Sequence, residues 1–447
     1  MHFNKAAIIG IGKTGVATAA FLGKKQVSLV VTDQKPASEW KDSLSFLDKL
    51  DAKWSVAPYD PGILAGVDLV VPSPGVYPSN SILVEAARQE IPVWSELELA
   101  FRYLKTPVIA ITGTNGKTTT TSLIGEMLRR AGKKVFVGGN IGDPLIGYAD
   151  GPQDADWAVL EVSSFQLQWV QTFHPHIALL LNVTLDHIDY HGSFASYREI
   201  KQRIFANQTP KDLAILNGCE EESVSLGNHL KAQTEFFSSA GKSASGIFIY
   251  RQRLVYLPAK AKAEEYPLEM VNLPGRHNLE NVMAAIIAAR RCGCRSADII
   301  EAVKGFHGLP HRIEYVCEKN GVTFYDDSKG TNVGAVVRAI ESFEQPIILL
   351  LGGRDKEGDF QTLIPFIKKG AKEIVLFGEA RQKINTLIGN TVKTSIHPTL
   401  EEAVKIAFEH SARGDAIVLS PGCASFDEFK NYKERGDYFQ KWARQLR

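Results

Sequence analysis

Short, unbroken apolar runs recur along the chain, separated by stretches in which apolar residues return every three or four positions. The first kind of pattern predicts strands buried on both faces, and the second predicts amphipathic helices. The runs AAIIG, VSLVVT and VDLVVP in the first part of the chain are strands on this reading, as are VIAI, KKVFVGG, DWAVLEV, HIALLLN and LAILN in the middle. PIILLLGG, KEIVLFG and DAIVLSPG continue the pattern near the end. Residues 117–128 form a helix pattern with Leu123, Ile124, Met127 and Leu128 on one face, and another begins at His277 and Asn278, with Val282, Ala285, Ile286 and Ala289 on its apolar face. Strand alternating with helix predicts an α/β architecture of parallel sheets wound with helices on both faces.

Two stretches break the alternation. Residues 235–269 read as short antiparallel strands added to the middle region, and RIEYVCEKNGVTFYDDS reads as a hairpin turning at Asn320-Gly321. Breaks near residues 93–106 and 308–316 divide the chain into three expected domains, 1–95, 96–308 and 309–447. The first and last are Rossmann-like, and the middle one is a phosphate-loop sheet with the antiparallel addition.

Composition adds limits. The chain has 447 residues, 44% hydrophobic and 23% charged, with a net charge of +1. Such balance gives no basic surface for nucleic acid or membrane. The five cysteines, at 219, 292, 294, 317 and 423, have no C-x-x-C spacing and read as free thiols. With no leader-like start and no apolar stretch long enough to span a bilayer, the expectation is a cytoplasmic protein, monomeric by default.

The stretch GTNGKTT at 113–119 follows a strand and opens a helix. Backbone N–H groups of Gly113, Thr114, Asn115 and Gly116, with the positive helix end, would cradle phosphate. Lys117 adds a point charge, Thr118 a hydroxyl for Mg²⁺, and Thr119 follows. Asn140, Glu161 and His187 stand at other strand ends, which converge on one edge of such a sheet. Glu161 is the natural second Mg²⁺ oxygen donor. His187 and His191 have the spacing of a zinc pair but lack the H-E-x-x-H glutamate. Lys201 lies on a helix face, where pattern alone predicts a solvated lysine. Earlier, Gly10-Ile11-Gly12-Lys13-Thr14-Gly15 with Asp33 twenty-odd positions on is a dinucleotide-type fingerprint. Alone it would also suit a nicotinamide-dependent dehydrogenase, which leaves 113–119 unexplained. Ser73-Pro74-Gly75 makes a turn at the same kind of strand end. Asp327-Ser328-Lys329 and Lys356 follow strand ends in the third region, where they could hold a nucleotide and an anionic substrate or be ordinary loop charge.

Taken together, GTNGKTT, GGNIG, LEVSSFQL, LNVTLDHIDYHGS, GRHNLENVMAA and GLPHRIE resemble the Mur ligases, the ATP-dependent amide-forming enzymes of peptidoglycan precursor synthesis. The resemblance covers essentially the whole chain. Ser73-Pro74-Gly75, DDSKGTN, GGRDKEGDF and LSPGCASFDEFKNYKERG are similar to the branch that adds D-glutamate to UDP-N-acetylmuramoyl-L-alanine. That resemblance implies a sugar-nucleotide site at Lys13, Thr14, Asp33, Gln34, Ser73, Gly75, Asn140 and His187. It implies ATP on the 113–119 loop with Asn278, Arg312 and Asp327, and two Mg²⁺ ions near Thr118, Glu161, His187 and a carbamylated Lys201. It implies a D-glutamate site at Lys329, Thr331, Lys356, Ser425, Phe426 and Tyr432. A sister ligase taking another amino acid, or a non-catalytic nucleotide-binding homologue, are the alternatives. Lys117, Glu161, His187 and Lys201 occurring together speak against the latter.

Overall fold

Most of the apolar runs become strands buried on both faces; the run at Val135–Gly139 is an edge strand and only half-buried. The computed structural model describes residues 3–56, 60–241, 245–258, 262–273, 275–306, 308–355 and 358–446. Contacts group the chain into two units, Met1–Leu268 with Asn281–Val303, and Glu269–Glu280 with Lys304–Arg447.

Two sheets make up the first unit among the described residues. One holds β1 (Lys5–Ile9), β2 (Ser28–Asp33), β3 (Lys53–Val56) and β4 (Leu69–Pro72), all parallel, in the order β3-β2-β1-β4. The other holds β5 (Val108–Thr112), β6 (Val135–Gly139), β7 (Trp157–Glu161), β8 (Ile177–Leu180), β9 (Leu213–Asn217), β10 (Gln233–Ser238), β11 (Gly246–Tyr250), β12 (Arg253–Leu257) and β13 (Glu264–Pro267). Its order is β13-β12-β11-β10-β9-β8-β5-β7-β6.

The antiparallel expectation for residues 235–269 needs correcting. β10 pairs parallel with both β9 and β11, and only β11-β12 and β12-β13 are antiparallel. These strands extend the main sheet rather than standing apart from it. An apolar alternation looks the same whichever way the partner strand runs, so pattern cannot give the direction.

One apolar cluster runs from the first sheet into the central one, joining Ile8, Phe21 and Val71 to Leu97, Leu145 and Leu160. The helix Glu96–Phe101 is built into it. Its fully buried Glu98 accepts hydrogen bonds from the backbone N–H of Gln171, Thr172 and Phe173 and from Arg102 Nε, so the buried charge is fully paired.

The second unit carries a sheet of β14 (Glu314–Lys319), β15 (Val322–Asp326), β16 (Ile347–Gly352), β17 (Ala371–Phe377), β18 (Lys393–Ile396) and β19 (Ala416–Gly422), ordered β14-β15-β19-β16-β17-β18. β14 and β15 form the expected hairpin, with Asn320 at φ 52° and Gly321 at φ 79°, as a type I′ turn requires. The other pairs are parallel. The last helix is Tyr432–Gln445.

Candidate active site

Register places the central residues. Ile111 of β5 pairs with Glu161 of β7, and Gly139 of β6 pairs with the same glutamate. The strand ends therefore bring Thr112, Glu161 and Asn140 to one sheet edge. There the chain turns through Gly113–Gly116 into the helix Lys117–Arg130. Gly116 caps it at φ +83°, and a Cβ on it would lie 2.2 Å from Asn281 Oδ1, so only glycine fits. The loop is held by Asn182, whose backbone carbonyl accepts from Thr114 N–H and whose Oδ1 accepts from Asn115 N–H, both at 2.9 Å.

Two lysines converge on this loop. Lys117 Nζ donates to the carbonyls of Gly113 and Thr114, and Lys201 Nζ donates to the same Gly113 carbonyl, each at 2.9 Å. The two nitrogens thus lie within twice that distance of each other. Lys201 is only 1% exposed, which overturns the solvated reading. Burial, and then the Lys117 charge, push its pKa well below the ordinary lysine range. Tyr197 packs its ring 4.6 Å from Lys201 Nζ. Glu161 is buried; its Oε1 accepts from Asn140 Nδ2 at 2.8 Å, while Oε2 has no hydrogen-bond partner among the described residues. A buried carboxylate oxygen left open beside a phosphate loop fits a cation.

His187 takes a left-handed backbone (φ 53°) at the start of a short turn of helix. Phe165 meets its ring edge-on at 4.8 Å. Burial lowers its pKa, which Asp186 and Asp189 partly offset. His191 places its Nε2 3.0 Å from Ser164 Oγ, and burial, with the neighbouring His187 adding to it, brings its pKa down to about 4. Neither histidine belongs to a group of three metal-capable side chains among the described residues.

In the first sheet, Asp33, Gln34, Ser73 and Gly75 line one cleft of about 490 Å³. A Cβ on Gly15 would strike the Gly10 carbonyl at 1.9 Å, so the third glycine of the fingerprint serves close helix–strand packing. Asp33 accepts from the N–H of Ile11 and of Lys35. Lys13 reaches out of this cleft to the Gly142 carbonyl and Asp143, and Thr14 is half-buried on the same helix.

In the second unit, Lys329 Nζ sits 5.2 Å over the Tyr432 ring. Ser425 is buried, Thr331 half-buried and Phe426 exposed. Asp327 is buried against Ser420 Oγ at 2.8 Å, and burial pushes its pKa up to about 7. Asn278 and Arg312 belong to this unit as well, Asn278 in the opening turn of the helix Arg276–Arg291. Lys356 lies outside the described residues. Sequence reasoning passed over Arg435, which is fully buried and donates to Ser328 Oγ, the Ser328 carbonyl and the Cys423 carbonyl. It ties DDSKGTN to the last helix. It also passed over Tyr197 and Asn281. Tyr197 had a signal, since its spacing of four from Lys201 puts both on one helix face.

A strand, glycine turn and lysine-opened helix on a parallel sheet, with an open buried carboxylate beside them, define a phosphate-loop nucleotide-binding protein. Comparison with known proteins sharpens this. Family models match residues 4–95 (Mur ligase MurD-like, N-terminal domain), 111–289 (Mur ligase middle domain) and 311–423 (Mur ligase, glutamate ligase domain). The UDP-N-acetylmuramoylalanine–D-glutamate ligase of Syntrophus aciditrophicus is 56% identical over 98% of this chain and 97% of its own. A pseudomurein peptide ligase type C from Methanothermus fervidus shares the fold at TM-score 0.61 and 18% identity, over 99% of this chain and 100% of that one. MurF ligase from Thermotoga maritima in complex with ADP does so at TM-score 0.59 and 18% identity, over 94% and 95%. The chain belongs to the Mur ligase family.

Proposed function

We propose that this chain is an ATP-dependent ligase that joins D-glutamate to UDP-N-acetylmuramoyl-L-alanine, releasing ADP and phosphate, in cytoplasmic peptidoglycan precursor synthesis. The observation that carries it is the meeting of Lys117, Lys201 and the open Glu161 carboxylate at the 113–116 loop. Identity of 56% to a relative named for this reaction supports the choice of substrates. No helix among the described residues is long and apolar enough to cross a membrane.

A carboxylate is a poor electrophile, so the L-alanine carboxylate first attacks the γ-phosphate of ATP, and ADP leaves. Lys117 and the N-terminus of its helix stabilise the charge on the transferring phosphoryl group. The D-glutamate amine then attacks the acyl carbon, loses a proton, and phosphate departs from the tetrahedral intermediate. Gly113–Thr119, Asn278, Arg312 and Asp327 are assigned to ATP. Lys13, Thr14, Asp33, Gln34, Ser73, Gly75, Asn140 and His187 are assigned to the sugar nucleotide. Lys329, Thr331, Lys356, Ser425, Phe426 and Tyr432 are assigned to D-glutamate. These sites fall in domains 1–95, 96–308 and 309–447 of a monomer.

Thr118, Glu161 and His187 would hold Mg²⁺, which neutralises phosphate charge when bound. The Lys201 amine, whose neutral form burial favours, can add to CO₂; the new N–C bond forms, one proton leaves, and the resulting carbamate would be a further oxygen donor.

The test is phosphate release with ATP, Mg²⁺ and UDP-N-acetylmuramoyl-L-alanine, with D-Glu, L-Glu, meso-diaminopimelate, L-Lys and L-Ala supplied separately. Release with D-Glu alone is expected. Release with another amino acid instead would move the chain to a sister branch, and none in any well would overturn the ligase reading.

A further inference from the structure

The first sheet's cleft and the central loop are joined by a feature that the proposed chemistry does not use. The turn after β4 runs through Gly75, at φ +92°, to Val76 and Tyr77, both of which line the cleft. Beyond β8, the segment that carries His187 also carries Asp189 and Tyr190. The two segments exchange hydrogen bonds. Tyr77 Oη donates to Asp189 Oδ2 at 3.0 Å, and Tyr190 Oη donates to the Val76 carbonyl at 2.9 Å. Their rings pack with centroids 5.2 Å apart. Tyr190 is buried and meets Phe165 edge-on at 4.6 Å, and Phe165 in turn meets His187. Tyr77 differs: 47% of its surface is exposed, although its hydroxyl is fixed. An exposed tyrosine is ordinarily free to turn, so holding this one costs rotamer entropy that solvation alone would not repay.

We propose that Tyr77 and Tyr190 form a two-bond latch between the cleft and the His187 segment, with Tyr77 the positioning residue for the sugar-peptide part of the sugar nucleotide. The proposal rests on the ligase reading. A ligand with its nucleotide in the Asp33–Gln34 cleft and its reacting carboxylate at the phosphate loop must cross from one segment to the other. Tyr77 lines the cleft, where an aromatic ring suits the apolar face of a pyranose, and its hydroxyl pins that ring to the segment bearing His187. Two reciprocal bonds fix the angle as well as the distance between the half-sites, the condition for a near-attack arrangement.

The experiment compares wild type with Tyr77→Phe, Asp189→Ala, which removes the acceptor, and the double variant. In kinetics, KM for UDP-N-acetylmuramoyl-L-alanine is expected to rise about fivefold to tenfold in Tyr77→Phe, the effect of losing one ordinary hydrogen bond at a half-exposed site. KM for ATP and D-Glu and the affinity for UDP alone should stay within twofold. Losses in the two single variants should not add in the double variant. Hydrogen exchange on the ligand-free protein supplies a readout independent of activity: peptides over 73–81 and 186–192 should exchange faster together in Tyr77→Phe. Acceleration confined to 73–81, no acceleration, or a loss of UDP affinity equal to that for the full sugar nucleotide would overturn the latch. Wild type that releases no phosphate while Tyr77→Phe still loosens both segments would overturn the ligase reading and leave the latch standing.

Discussion

Lys201 shows how a single side chain changes meaning between sequence and fold. On the helix Phe194–Gln202 it stands among charged and polar residues, and pattern alone sends it to solvent. In the structure it is buried, with Tyr197 and Ile200 on the same buried stretch, and donates to a carbonyl 88 residues away in sequence. Burial and Lys117 favour its neutral form, the form that reacts with CO₂. Lys201→Ala is expected to lose at least about a hundredfold in turnover, the scale of removing one preorganised electrostatic group. Formate or acetate should restore part of it by standing in for the carbamate proposed on Lys201. Full activity without added carboxylate would refute this role.

Among the elements, the helix Glu96–Phe101 combines a local signal with a consequence that local signals do not carry. Its cap is a local feature: Ser95 Oγ accepts from Glu98 N–H, with acidic residues in the first turn. Its buried carboxyl is not. Glu96 is buried, accepts from Ile146 N–H, and is pushed up to about 7 by burial. A carboxyl whose folded pKa lies above its unfolded value binds more protons when folded. Its full contribution is therefore present below the unfolded value near 4.5, and stability falls as pH rises from there to about 7. The loss is about 3 kcal/mol for a shift of this size. Glu96→Gln keeps an acceptor oxygen and removes the ionisation. Its melting temperature at pH 8, relative to that at pH 5, should exceed the same difference in wild type. Equal pH dependence in the two proteins would count against a neutralised Glu96. Strand direction in β10 and β11 belongs to this scale too, since it follows from which neighbour each strand finds.

For the whole molecule, the chain passes between its two units near residues 268, 280 and 303. An acyl phosphate would hydrolyse in open water, so the proposed reaction needs the units to close on their ligands. Small-angle scattering should give a smaller radius of gyration with a non-hydrolysable ATP analogue plus UDP-N-acetylmuramoyl-L-alanine than without ligands. Identical dimensions would refute closure.

Sequence by itself determined the alternation of strand and helix, the glycine-lysine loop at 113–119, the Asn320-Gly321 hairpin and membership of the Mur ligases. These depend on spacing between neighbours in the chain, and spacing is visible there. Only tertiary structure decided that Lys201 is buried beside Lys117, that Glu161 keeps one oxygen open, that Arg435 anchors DDSKGTN, and that Tyr77 is tied to Asp189. Each of these is a matter of desolvation or of a partner far away in sequence. A side chain's charge state and freedom are set by what surrounds it in space, and a linear pattern does not contain that.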